Sequence, residues 1–178
     1  MSIAEAFLAE FEQEAGITRK FLERVPEAKL TWQPHEKSMT AGQLALHLAS
    51  TPGDVAQMVQ PDTIPPPDFG AAAPQPSNRR EILEKLDESI AKVKQILPQI
   101  DDAKMQGMWR VTSDGTAAGS EIFGLPRAAA IRMIMLSHWI QHRGQMGVYL
   151  RLLGEKVPSS YGPSADELPE FLQKAGVA

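Results

Sequence analysis

Ser137-His138-Trp139-Ile140-Gln141-His142-Arg143-Gly144-Gln145 places two imidazoles four residues apart inside a long run of helical periodicity. The run opens at Pro126, a favoured first helical residue, and reaches Gly154, which suits a helix end. Residues four apart share a helix face at about 6 Å, so His138 and His142 can offer two nitrogens to one metal ion. The same spacing also fits exposed histidines, or imidazoles bonded to a carbonyl. Ile131, Met135, Gln145 and Tyr149 lie on this face and turn it at least partly inward.

Working outward, three more helices are legible. Ser2 with Glu5 spells a capping box, followed by Ala4, Leu8, Phe11, Ala15 and Leu22 up to the break at Pro26. Thr40 with Gln43 repeats the device and opens a second helix over Leu44, Leu46, His47 and Leu48. Pro52 lacks a backbone donor and predicts a kink there, with a restart capped by Thr51 and running through Asp54 to Gln60. A third helix opens near Ser77 or Asn78 and carries Ile82, Leu86, Ile90, Val93 and Leu97 in register. Six of the fourteen prolines lie between Pro61 and Pro76, so residues 61–77 read as a semi-rigid crossover. Residues 101–124 are irregular, and Asp114-Gly115 marks a turn that a short hairpin would use. The fold expected is all-α, a four-helix bundle with its long crossover between helices 2 and 3. It is read as one domain over 1–178, with 155–178 as a C-terminal tail.

Composition narrows the function. A length of 178 residues suits a single hydrophobic core, and a formal charge of -4 gives no positive field for a phosphate backbone, so no nucleic-acid partner is expected. No stretch of about 18 apolar residues offers a membrane span, and the start lacks a secretory pattern, so a cytoplasmic location is expected by default. With no cysteine in the chain, any metal must rely mainly on nitrogen and oxygen ligands. Only four histidines are present, and His47 lies amid Leu44, Leu46 and Leu48, where an unpaired buried imidazole would be costly. Facing helix 4 across a bundle, His47 can complete a set with His138 and His142. Three ligands would leave a coordination position open, as catalytic zinc-type sites do.

The stretch Leu30-Thr31-Trp32-Gln33-Pro34, then Gln43-Leu44-Ala45-Leu46-His47-Leu48-Ala49, and His138 to Gln145 as His-x-x-x-His-Arg-Gly-Gln resemble the DinB family. The tail from Val157-Pro158-Ser159-Ser160-Tyr161-Gly162-Pro163 to Glu167 is similar too, so the likeness runs through nearly the whole chain in order. The resemblance implies a four-helix bundle holding a divalent metal, usually nickel or zinc, on His47, His138 and His142. It also implies pairing as a homodimer. Relatives of this kind include enzymes that use a low-molecular-weight thiol, among them a mycothiol-dependent maleylpyruvate isomerase and a bacillithiol transferase.

The function expected is therefore metal-dependent group transfer or hydrolysis on a small-molecule substrate; with no cysteine in the chain, a thiol mechanism would need a thiol cosubstrate. A noncatalytic, stress-related metal-binding dimer is the alternative, and it predicts a site sealed by residues 101–124 or by the tail near Tyr161. Gln145 can orient a ligand or a bound water, or simply pack, and Arg143 suits either an anionic substrate or a structural salt bridge. Glu121 and Asp54 are the carboxylates suited to a base or to a partner of the ligands. His35 has no partner at useful spacing. Trp32, Trp109 and Trp139 read as anchors of core or interface, and Met133, Met135 and Met146 as packing.

Overall fold

The structure, a computed structural model, describes residues 1–68, 70–168 and 174. The part of the expected tail at 169–173 and 175–178, and Phe69 in the crossover, lie outside the described residues. Four long helical stretches enclose one apolar cluster that draws on all of them. Helix α1 covers Ile3–Glu23, α2 Ala41–Met58 and α3 Arg79–Ile96. The fourth stretch is compound: α5 over Arg127–Ala130, a π-helical segment over Ile131–Ser137, and α6 over His138–Leu152. A short helix, α4, spans Asp102–Gln106.

Local chemistry explains the starts. In α1 the Ser2 hydroxyl accepts from the Glu5 N–H at 3.1 Å while the Glu5 carboxylate accepts from the Ser2 N–H at 2.7 Å. Thr40 and Gln43 make the same reciprocal pair at the start of α2, at 3.1 and 2.9 Å. Asn78 caps α3 by accepting from the Glu81 N–H at 2.9 Å. Each device satisfies donors that a helix start otherwise leaves unpaired.

The all-α expectation needs correction, because a three-stranded sheet is present. Strand β1 (Thr63–Ile64) pairs in parallel with β2 (Met108–Thr112), and β2 pairs antiparallel with β3 (Glu121–Pro126). The hairpin turns through Gly115, whose φ of 79° lies in the left-handed region and whose missing Cβ leaves room for Pro65. Along β2, Trp109 and Val111 face the core while Met108 is exposed, the alternation that buries one face of a sheet. The crossover thus contributes a strand as well as a spacer.

A second correction concerns α2, which passes through Pro52 as one helix instead of restarting. Proline at 52 leaves the Leu48 carbonyl without its usual donor. The Trp139 indole N–H fills that vacancy at 2.7 Å. One residue on, the Gly53 N–H donates to the Ser89 hydroxyl at 2.7 Å, and a Cβ at Gly53 would lie 2.8 Å from the Ser89 Cα. Side chains from two other helices therefore patch the interrupted ladder, and glycine lets α3 approach closely.

These contacts also set α2 against the last helical stretch. The Trp139–Leu48 bond ties the residue after His138 to the residue after His47. Farther along, the buried Arg127 guanidinium donates to the Val59 carbonyl at 2.6 Å and the Lys104 carbonyl at 2.6 Å, and it pairs with Asp62. The two helices that carry histidines are pinned at both ends of their contact. Among the described residues no helix is long and apolar enough to cross a membrane.

Candidate metal centre

His47 from α2 and His138 and His142 from α6 come together, each half-buried, with one nitrogen from every ring within 4.8 Å of the others. Among the described residues this is the group of histidine, aspartate and glutamate side chains that meets that test. The rings are mutually near-perpendicular, at 84°, 89° and 85°, with centroids 5.3, 4.6 and 4.4 Å apart. The His138 and His142 Nε2 atoms lie 2.9 Å apart. Tetrahedral ligands at about 2.0–2.1 Å from an ion would sit roughly 3.3 Å from one another, so a small relaxation would seat one.

The electrostatics favour ligation. Burial lowers the His47 pKa from 6.5 to about 4, and the adjoining His142 and His138 rings add to the shift. His138 is lowered for the same first reason and by His142, while the Ile134 backbone works the other way. Both rings are therefore neutral near pH 7 and present a lone pair, which a metal ligand must. The Gln145 side-chain carbonyl lies 2.7 Å from His142 Nδ1, so it can accept that N–H and leave Nε2 free to face the other rings. Thr51, one turn after His47, donates its hydroxyl proton to the His47 carbonyl at 2.6 Å and packs its oxygen 3.4 Å from the ring. A donor set of three neutral nitrogens fits a divalent ion of borderline softness.

The other anticipated residues are distributed more widely. Arg143 turns away from the cluster into a buried pair with Glu14 at 2.5 Å, and the Tyr161 ring of the tail covers its guanidinium at 5.2 Å. That is the structural salt bridge, and it places Tyr161 over Arg143. Glu121 sits exposed on β3, bonded to Arg110 at 2.8 Å, and Asp54 is exposed on α2 two turns beyond His47. His35 is exposed in the connector before α2. Trp109 and Trp139 are buried, and Trp32 packs its edge on Tyr149. Met135 and Met146 are core residues, but Met133, within the π segment, is 46% exposed and on the solvent side of it.

Sequence reasoning missed the two residues that position the ligands from outside. Trp139 read as an anchor, yet its indole N–H is what replaces the donor removed by Pro52. Thr51 read as the cap of a restarted helix, yet it bonds back within a continuous one. The signal that could have found Trp139 was the pairing of a helix-internal proline with a buried donor elsewhere in the chain.

With the geometry in view, known proteins give it a setting. The model of the DinB family matches residues 1–172. Uncharacterized protein YrdA of Bacillus subtilis strain 168 is 26% identical over 167 residues, covering 93% of this chain and 92% of its own. The crystal structure of a DinB-like protein from Bacillus cereus ATCC 10987 superposes with a TM-score of 0.66 at 21% identity, covering 88% of this chain and 97% of that one. A DinB-like protein from Bacillus subtilis, YjoA, gives a TM-score of 0.64 at 19% identity, covering 86% and 96%. At such identities the two structures show a shared fold.

Proposed function

The chain belongs to the DinB family, and on that premise we propose that His47, His138 and His142 hold a divalent ion, nickel or zinc, in a metal-dependent enzyme acting on a small molecule. The observation that carries this reading is the cluster of three perpendicular, half-buried imidazoles whose nitrogens converge. When bound, the ion supplies Lewis acidity that can polarise a carbonyl or acidify a thiol. The residues of the chain do the rest. Burial keeps His47 unprotonated, Gln145 holds the His142 tautomer, and the Trp139–Leu48 bond fixes how the two helices face each other. Three neutral ligands leave the charge of the ion uncompensated, which favours an anionic or polarisable group on the substrate. The chain contains no cysteine, so the reaction class proposed is thiol-dependent transfer, with the thiol brought by a cosubstrate, or else hydrolysis.

Half-burial of the rings supports a reacting site over a sealed, noncatalytic one. Metal content of the purified protein and of His142→Ala tests the assignment. About one ion per chain is expected in the parent and a loss of at least tenfold in affinity in the variant; unchanged binding sinks it. A thermal-shift screen of mycothiol, bacillithiol, glutathione and coenzyme A on the loaded protein then tests the thiol, since a ligand bound only by the folded state raises the melting temperature.

A further inference from the structure

The two helix faces that carry the histidines continue past them. On α2, His47, Thr51, Asp54 and Met58 follow one another at steps of three and four residues, which keeps them on one side of the helix. On the last helical stretch, Ile134 lies one turn before His138, and His138 one turn before His142. Met58 and Ile134 are thus the far ends of the two faces whose near ends hold the imidazoles. Both line a cavity of about 420 Å³. Trp109 and Val111 of β2, Phe123 of β3 and Pro66 of the crossover supply its other walls.

Three properties make this a chamber for a small molecule. Its lining presents no polar surface, because the Trp109 indole N–H is turned away to the Met58 carbonyl at 3.1 Å. Its volume of about 420 Å³ falls within the roughly 300–1,000 Å³ of small-molecule sites. It is walled by helix, sheet and crossover at once, so a flat partner surface laid over it would leave it unfilled. At about 1.5 Å of rise per residue, Ile134 stands about 6 Å along the helix from His138, and Met58 about 16 Å from His47. Ile134 thus sets the wall of the chamber one helical turn from His138.

Resting on the metal reading above, we infer that the substrate is amphiphilic. Its aromatic or branched aliphatic end occupies the chamber between Met58, Trp109, Val111 and Ile134, and its polar, metal-seeking end reaches His47, His138 and His142. This names a substrate class that three imidazoles alone do not. Burial of an apolar end gives binding energy of about 25 cal/mol per Å² without any charge, which suits a wall that offers none.

The test uses the full chain, metal-free and metal-loaded, with toluene as the probe of the chamber and two hydroxamic acids as probes of the whole groove. Toluene titrated into metal-free protein is expected to shift the methyl resonances of Met58 and Ile134. Loaded protein is expected to bind 4-phenylbutanohydroxamic acid at least tenfold more tightly than acetohydroxamic acid. Val111→Trp fills the chamber, and Ile122→Asp places a charge at its rim, where the exposed Ile122 side chain of β3 lines it; each is expected to abolish both the toluene shifts and the tenfold preference while metal content stays at the parent level. The rim variant keeps the test open if the buried one does not fold. Metal binding without toluene shifts, or equal affinity for the two hydroxamates, overturns the chamber and leaves the metal reading standing. Toluene shifts in a chain that takes up no nickel or zinc when titrated with either overturn both the metal reading and the bridging substrate. Methyl shifts at Met58 and Ile134 that follow protein concentration without any probe assign the cavity to a second copy of the chain, and overturn the inference as well.

Discussion

Replacing Trp139 by phenylalanine removes the donor that stands in for the missing N–H of Pro52, and the cost can be built up from the structure. The Leu48 carbonyl, bonded at 2.7 Å by the indole, would be left unpaired in a buried helix. An unsatisfied buried acceptor costs about 1–3 kcal/mol. The smaller ring also loosens the stack on Phe11, whose centroid lies 5.4 Å away. That adds about 1 kcal/mol of lost packing. Trp139→Phe is therefore expected to destabilise the metal-free protein by about 2–4 kcal/mol. The decisive experiment adds Pro52→Ala, which returns an N–H within reach of Leu48. In the Trp139→Phe background this change should recover about 1–2 kcal/mol relative to its effect in the parent. Losing a proline loosens the unfolded chain in both backgrounds alike, so that contribution cancels in the cycle. Urea titration of the four proteins in chelator measures the coupling. If the two substitutions add within about 0.5 kcal/mol, the indole is not the substitute donor and the account of α2 fails.

Two further outcomes follow from the same site. His47 has its pKa lowered to about 4 from an ordinary 6.5, so between those values the unfolded chain takes up the proton first. Stability of the metal-free protein should thus be full above about pH 6.5 and decline as pH falls toward 4, and a His47→Gln variant that keeps the same slope in this window would refute the assignment. Gln145 is exposed but bonded to His142, so Gln145→Ala should weaken metal binding about 10–100-fold while moving folding stability by less than about 0.5 kcal/mol, and Gln145→Glu should restore the affinity by restoring the acceptor. A metal titration that ranks all three proteins equal would remove Gln145 from the site.

How much was legible in the residues themselves depended on whether the cause was local. The caps at Ser2 and Thr40 are written within four residues and appear as read. His138 and His142 could be paired from spacing alone, and the scarcity of histidine singled out His47. The continuity of α2 through Pro52 is not legible locally because the donor that serves the Leu48 carbonyl is Trp139, 91 residues along the chain from Leu48. The sheet was obscured for a similar reason. Strand β1 is two residues inside a proline-rich run, and its partner Arg110–Val111 lies beyond both α3 and α4. Gln145 was noted as a group that could orient something, but only the folded helix shows that what it holds is the ligand His142. Glu121 drew notice as a carboxylate, yet β2 pairs it with Arg110.

The π-helical segment over Ile131–Ser137 bears on how this chain can change in length. Its wide turns, with the His138 N–H reaching back to the Met133 carbonyl, hold more residues per turn than an α-helix. Losing one residue there would let the backbone close to ordinary α geometry while His138 keeps its bearing relative to α5. The same deletion between His138 and His142 would swing one imidazole by about 100° and carry it out of the cluster. Insertions and deletions are thus unequal along this helix, with a forgiving stretch placed directly ahead of an unforgiving one.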